Sequence, residues 1–548
     1  MRKHWFLILF LGLFGCDDGG GSSNNVNNVN NVNNANNVNN ANNVNNVNNV
    51  NNVNNANNVN NVNNVNNVNN VNNTNNTTPV CGNALRETGE DCDGADLDGQ
   101  TCLTLGGGFE GGTLACTASC TFDTAGCTGC QVTENPLTLE TVTVADDLAG
   151  PAFVTIEDMN DDGRPDLVVS SFGTISGITM PNGTLKIYTQ GADVRTWELA
   201  ETVITEDMGI KFPNRTTIHD VDGDGDPDIL VPAGFLACTM GGMGAPCGGL
   251  MWFENAGGEW IRHDIVDGGS ALFYHLATLT DVDGDGILDL VTTGEEKAGF
   301  MGSDRAVAQW FKGTNSADRF DPTPLEIGAG MGSFPRMFDL DDDGDLDIVS
   351  AEYFLAGGAV AWFEREAGPS QQNPAGTWTR HAINTDIGPS IEALMVDDLY
   401  GDGVTRLVAS NHSNTTANAG DPEAAIYVFD PPAAGQEEDL WTKHKISCGI
   451  VSRAGSMFAP QAAPGIFGVG DIDGDGDLDV LVSGDGDDRL FWLEQVTAGT
   501  FSTHIIETGF GQAGGTWVID LDGDGVNEMT ATSYENNVLN VYIVTGDK

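Results

Sequence analysis

The chain is poor in positive charge. In 548 residues, 22 Lys and Arg stand against 79 Asp and Glu, a formal net charge of −57. A surface of that sign does not draw nucleic acid or an anionic membrane toward itself through its own field. Helical periodicity is missing as well: between Gln131 and Lys548 no stretch sustains a 3.6-residue apolar repeat, so that part is expected to be nearly helix-free. The longest N-terminal apolar run, Trp5 to Phe14, is too short to span a bilayer as a mature helix. Catalytic signatures are also lacking. There is no His-Glu-x-x-His, no Gly-x-Ser-x-Gly and no phosphate-binding glycine loop opening a helix. Gly328-Ala329-Gly330-Met331-Gly332 falls in a turn before a strand, and no catalytic residue can be named from sequence.

What is present divides the chain into four parts. Residues 1–16 carry Arg2, Lys3 and His4, the apolar run, and a small residue before Cys16, the pattern of a signal peptide. The end of this segment resembles a bacterial lipobox, which implies acylation of Cys16 and anchoring to the bacterial outer membrane or cell surface. Any membrane contact is then expected through that lipid alone. Residues 17–79 are dominated by Asn-Asn-Val and Asn-Asn-Ala triplets, whose three-residue period fits neither helix nor strand. Such a segment cannot repay the entropy of ordering and is expected to be a disordered stalk. It reaches ~40 Å as a coil and at most ~180 Å extended.

Residues 80–130 hold seven of the eleven cysteines, among Gly, Thr and Asp. So little apolar material needs disulfide staples, and six paired cysteines allow fifteen connectivities. Cys81-Gly82-Asn83, followed by Glu87, Gly89, Glu90, Cys92 and Asp93, resembles the myxococcal cysteine-rich repeat, a small extracellular disulfide module. A zinc site from Cys116, Cys120, Cys127 and Cys130 is the alternative, which an oxidising compartment disfavours. Later in the chain, Cys238 and Cys247 share one connection and are expected to pair, and Cys448 is a candidate partner for the odd cysteine of this module.

From 131 to 548 the chain repeats seven times. Each unit contains Asp-x-Asp-x-Asp-Gly-x-x-Asp or a near variant, with the first Asp at Asp158, Asp220, Asp281, Asp339, Asp398, Asp471 and Asp520. An apolar run enters each loop, a strand leaves it, and two further strands follow. Units mostly near 60 residues long have the period of a propeller blade. The fold expected is an all-β, seven-bladed propeller with four-stranded blades. The last unit supplies only three strands, Thr516 to Ile519, Glu528 to Ser533 and Val538 to Val544, so Leu137 to Val144 is expected to complete it and tie the chain ends together.

These seven repeats resemble FG-GAP/VCBS repeats, which build integrin-α-type propellers. The likeness implies metal loops on one face and ligands on the other. An EF-hand is disfavoured because the twelfth position, Val169 or Thr292, sits inside a strand.

Extracellular calcium suits such loops, since it takes six to eight oxygens in irregular geometry. The side chains at positions one, three, five and nine are the expected ligands. They are Asp158, Asn160, Asp162 and Asp166; Asp220, Asp222, Asp224 and Asp228; Asp281, Asp283, Asp285 and Asp289; Asp339, Asp341, Asp343 and Asp347; Asp471, Asp473, Asp475 and Asp479; and Asp520, Asp522, Asp524 and Glu528. The fifth unit places Tyr400 and Arg406 beside Asp398 and Asp402, and is expected to be metal-free with the guanidinium paired to both carboxylates. Six sites of ~0.1 mM dissociation constant in ~1 mM calcium would add about 8 kcal/mol together, a structural contribution.

The opposite face would be built from the connections 235–249, 295–304, 411–424 and 448–464. Arg215, His275, Arg336 and Glu392, near the mouth of the central channel, are the candidate ligand-binding residues. His263, His381, His444 and His504 recur at one place in four units, which points to packing. Two functions fit: a surface-displayed binding or adhesion module for a protein or glycan, expected as a monomer, or an extracellular polysaccharide lyase or hydrolase.

Overall fold

The computed structural model describes residues 132–174, 180–235, 238, 245–296, 304–353, 360–415, 420–436, 438–454 and 461–546. Ahead of these it describes 86, 92–97, 100–101, 109–117, 120–123 and 127–129. The signal peptide, Cys16, the stalk and much of the cysteine-rich segment lie outside the described residues. Those described before 130 and those from 132 onward belong to two compact units.

In the first unit, Phe109–Gly112 pairs antiparallel with Cys127–Gly129, and Ala115–Cys116 with Phe122–Asp123. A Cys92–Cys116 disulfide ties Cys92 to the second of these strand pairs. Cys120 is also disulfide-bonded, so neither Cys116 nor Cys120 is available to the zinc alternative.

The second unit is a seven-bladed propeller, each blade a twisted antiparallel sheet whose strands run outward from a central channel. Blade 1 is Pro151–Glu157, Asp166–Ser171, Thr184–Gln190 and Trp197–Ile204. The six later blades start at Thr217, Phe273, Arg336, Ser390, Phe467 and Ala513. Blade 7 closes as the strand count requires: Leu139–Ala145 lies antiparallel to Val538–Val544, with Thr141 opposite Tyr542. Blade 6 holds an unexpected fifth strand, Val132–Glu134, which runs parallel to Thr500–Thr508 on its outer edge. Among the described residues helix is almost absent; a 3-10 turn covers Glu206–Met208.

The second strand of every blade explains why the ring holds. Asp166–Ser171, Asp228–Ala233 and Glu528–Ser533 are buried at every residue, because a neighbouring blade covers each face. Successive side chains alternate between those faces. Ile229 and Val231 pack toward blade 1, and Leu230 between them packs toward blade 3. Most of the apolar core therefore lies in seven separate clusters, one at each junction between blades, and a smaller one, Leu276, Phe334 and Ile466 with Phe153 and Ile391, joins five blades around the axis.

Three of the four repeated outer-strand histidines pack as expected, whereas His444, with 48% of its side chain exposed, faces Asp430 at 2.8 Å. His263 stacks on Trp252 at 4.3 Å between ring centres, and its Nε2 faces Glu254 at 2.8 Å. His381 does the same with Trp362 and Glu364, and His504 with Trp492 and Glu494.

Candidate metal loops and channel site

Each inner strand ends in an Asp loop, so all seven loops lie at one end of the ring. In six of them the backbone donates to the first carboxylate, while in blade 4 Asp339 Oδ1 is buried without a partner among the described residues. In blade 2, Asp220 Oδ1 accepts the N–H groups of Gly223 and Asp224 at 2.7 and 3.1 Å, and Oδ2 accepts that of Gly225 at 3.1 Å. Gly225 has φ of 102°, a left-handed conformation that glycine adopts without strain and that turns the chain back toward the next strand. The third and fifth side chains cap the turn in the same way, Asp222 receiving Asp224 N–H and Asp224 receiving Asp226 N–H.

The ninth position has a role that the sequence reading missed. Asp228 accepts Val221 N–H with Oδ2 and Asn255 N–H with Oδ1, tying loop to third strand at 2.9 and 2.8 Å. Asp166, Asp289, Asp347 and Asp479 make the same two bonds. In three blades the residue whose N–H is bound reaches the preceding blade's loop with its own side chain. Gln190 Nε2 donates to Leu521 O at 2.9 Å, Arg365 Nη2 to Val282 O at 2.7 Å and Gln495 Nε2 to Leu399 O at 2.8 Å. The loops are thus coupled around the ring.

Three carboxylate oxygens come within 4.8 Å of one another in five loops: Asp220, Asp222 and Asp228; Asp281, Asp283 and Asp285; Asp339, Asp341 and Asp347; Asp471, Asp473 and Asp479; Asp520, Asp522 and Glu528. These clusters can hold a metal ion, and hard, oxygen-only donors of this kind are compatible with calcium. Burial pushes Asp228 up to about 6 and Asp347, Asp479 and Glu528 up to about 7, the mark of carboxylates gathered without a counter-charge. Asp224, Asp343, Asp475 and Asp524, at the fifth position, stand outside the clusters. In blade 1, Asn160 leaves fewer carboxylates, and Asp162 is ion-paired to Arg164.

Two further loops contain a cation of the protein's own. In blade 5, Arg406 binds Asp402 through both Nη atoms at 2.7 and 2.8 Å, and Tyr400 stacks beneath it at 4.1 Å. Its second carboxylate is Asp430, at 2.6 Å from Nε, and not Asp398 as expected. Asp398 is instead committed to the turn, accepting Gly403 N–H at 2.6 Å. The hydrogen bonds from Arg406 lower Asp402 to about 2. In blade 3, Lys312 at the end of the third strand inserts its ammonium between Asp283 and Asp285, 2.7 Å from the latter. That lysine lies outside the nine-residue motif, so motif reading passed over it.

At the other end of the ring is a cavity of about 100 Å³. Every blade lines it at or just before its inner strand, through Phe153, Asn214, His275, Phe334, Ile391, Ile466 and Gly514. Of the four candidate ligand residues, His275 lines it, and Arg215, Arg336 and Glu392, buried or half-buried, lie one or two residues further along the chain than lining residues. Arg215 and Arg336 share Glu392, at 2.7 and 3.3 Å, and His275 lies between Asn214 Oδ1 at 3.3 Å and Glu295 Oε2 at 3.2 Å. Around the mouth, the His412 ring meets Tyr353 at 5.7 Å, and its Nε2 is 4.0 Å from Asp485 Oδ2. Asp485 also accepts Gln512 Nε2 at 2.9 Å, and burial raises both Asp485 and Tyr353. The sequence did carry a signal for these residues: each stands fourteen positions after the first Asp of its loop (339 to 353, 398 to 412, 471 to 485).

Of the connections expected on this face, stretches within each lie outside the described residues. Cys238 and Cys247 do form a disulfide, with Cα atoms 5.9 Å apart. Cys448 is disulfide-bonded as well, and its expected link to the N-terminal module lies outside the described residues.

Comparison with known families agrees with this architecture. The FG-GAP-like repeat family matches residues 158–231 and 471–530. The propeller carries FG-GAP-like repeats. No curated protein matches the sequence. Among solved structures, an α-L-arabinanase of Penicillium chrysogenum is 12% identical, covering 74% of this chain and 98% of that one, with a TM-score of 0.39. The GH93 α-L-arabinofuranosidase of Fusarium graminearum is 10% identical over 74% and 97%, TM-score 0.40. The periplasmic gluconolactonase of Pseudomonas aeruginosa is 14% identical over 74% and 93%, TM-score 0.41.

Proposed function

We propose that this protein is an exported, lipid-anchored propeller, stabilised by calcium in its Asp loops, that acts outside the cell as a monomeric binding or adhesion module for a protein or glycan. The observation that supports this most is the difference between the two ends of the ring. One end repeats a carboxylate cluster in five blades, at positions one, three and nine in four of them and at one, three and five in blade 3, where Asp289 stands outside it. At the other end the equivalent position of the seven blades is Phe172, Gly234, Glu295, Tyr353, His412, Asp485 and Tyr534. A scaffold repeats its residues, whereas a surface that recognises an asymmetric ligand breaks the repeat. Measuring binding to a panel of extracellular glycans and proteins tests the reading. Asp485→Asn should weaken the interaction by ~tenfold with little change in thermal midpoint, and His412→Ala should weaken it similarly while also lowering the midpoint, because that ring is buried. A panel without a single saturable binder counts against it.

A second reading, a polysaccharide lyase or hydrolase, is favoured by the grouping of Tyr353, His412 and Asp485, a set of titratable side chains partly sequestered from water. Incubation with polysaccharides separates the two, since only an enzyme releases new chain ends.

A further inference from the structure

The central channel contains an ionic group whose charges do not cancel. Arg215, Arg336 and Glu392 come from three different blades and meet in the channel, one or two residues further along their inner strands than the residues lining the cavity. Both oxygens of Glu392 are in use: Oε1 accepts Arg215 Nη1 at 2.7 Å and Arg336 Nη2 at 3.3 Å, and Oε2 accepts Phe467 N–H at 3.0 Å. One carboxylate therefore serves two guanidinium groups, leaving an excess positive charge. Arg215 is confined, its guanidinium 5.7 Å from the Phe334 ring centre and 5.0 Å from that of Trp517, with 9% of its side chain exposed.

Arg336 is the under-used partner. Of the five N–H donors of a guanidinium, the bond to Glu392 is its single one among the described residues, and its Nε is buried without an acceptor. Its side chain keeps 25% exposure, so a solute in the channel can reach it. Burial and the neighbouring Arg215 lower Arg336 to about 10, in keeping with a charge short of a partner. A buried charge without a partner is costly, and a guanidinium fork matches a two-oxygen acceptor.

We infer that Arg336, supported by Arg215, is an oxyanion site that takes a single carboxylate or sulfate group, borne by a small acid or by the terminal residue of an acidic glycan. The net charge of −57 opposes a polyanion, so one anionic group entering a screened channel is the form that fits. This deepens the binding-module reading and relies on it for how the ligand arrives.

The test uses the calcium-loaded protein at constant ionic strength, with acetate, sulfate and glucuronate as probes and glucose as the uncharged control, followed by calorimetric titration and thermal midpoint. Sulfate and glucuronate should bind saturably and raise the midpoint, and glucose should do neither. Arg336→Gln should weaken anion binding at least ~tenfold, while the unliganded midpoint stays equal or rises. Arg336→Lys should retain part of the affinity, which separates lost charge from lost fold. Glucuronate binding ~tenfold more tightly than sulfate would identify a sugar-borne group; equal affinities would identify a free oxyanion. No saturable response to any anion, or an equal response from wild type and Arg336→Gln, overturns the site. Neutral glycans binding wild type and Arg336→Gln alike, with no anion response, would overturn this inference and leave the binding-module reading standing. Anion binding that depends on Arg336, with no glycan or protein bound, would do the reverse.

Discussion

The fifth loop and the second share a backbone turn and differ in who supplies the cation. In blade 2, Asp220, Asp222 and Asp228 converge with no ion pair to any of them among the described residues, although Arg319 donates to the Asp222 carbonyl oxygen, and burial raises Asp228 to about 6. In blade 5, Arg406 occupies the ninth position, and its hydrogen bonds lower Asp402 to about 2. A loop folded around carboxylates needs a positive charge, and the sequence decides whether it is built in or taken from solution. Blade 3 stands between them, with three clustered carboxylates and Lys312 already bound to two of them.

Removing calcium should separate these classes most sharply. If five clusters are filled at the affinities usual for extracellular sites, a chelator should lower the thermal midpoint by ~15–25 °C in calorimetry, with metal counting giving close to five or six ions per chain. An unchanged midpoint would make the loops ordinary solvated turns.

Arg406→Ala should lower the midpoint by ~5 °C, equally in calcium and in chelator, because the lost cation is internal. A loss that calcium restores would mean that blade 5 is a disguised metal loop. The converse double substitution, Tyr400→Asp with Arg406→Asp, rebuilds the pattern and should add one ion to the count.

Lys312→Met should free Asp283 and Asp285 and tighten the blade 3 site by ~tenfold, read by calcium titration. Unchanged affinity would show that the lysine swings aside when the ion binds.

The smallest effect concerns pH. Asp228, Asp347, Asp479 and Glu528 have folded values raised to about 6 or 7, so the folded metal-free protein holds their protons more tightly than the unfolded chain. Their contribution is fully present below the ordinary carboxylate range and is lost as pH rises through 6 to 7. In chelator the midpoint should therefore fall by a few degrees (~2–5 °C) between pH 5 and pH 8. In saturating calcium, which holds the carboxylates ionised, that fall should vanish.

Much of the ring was legible because propeller strands are local. The apolar run before Asp220 and the strand Asp228–Ala233 after it pair directly across the loop, so one motif announces two strands and a turn. The closing strand Leu139–Ala145 followed from counting, since blade 7 lacked a fourth member. The parallel strand Val132–Glu134 did not, because three residues on an outer edge carry no periodicity to read. Arg215, His275, Arg336 and Glu392 were placed near the channel mouth because each comes at the start of an innermost strand. That Arg215 and Arg336 would share Glu392 was not visible, because the three lie on different blades and meet only when the ring closes.

By itself the sequence determined the number of blades, the end of the ring that holds the carboxylates, the closure at blade 7 and the internal cation of blade 5. The count and the blade 5 cation are written in the repeats themselves, where a strand's two-residue alternation and a nine-residue loop leave few choices; the closure came from counting strands, and the single face from the family resemblance. Only the tertiary structure decided that Lys312 enters the third loop, that Asp430 replaces Asp398 as the partner of Arg406, and that the channel is left with more guanidinium than carboxylate. Those contacts join side chains on different strands or blades, and their geometry is set by how seven sheets pack around one axis.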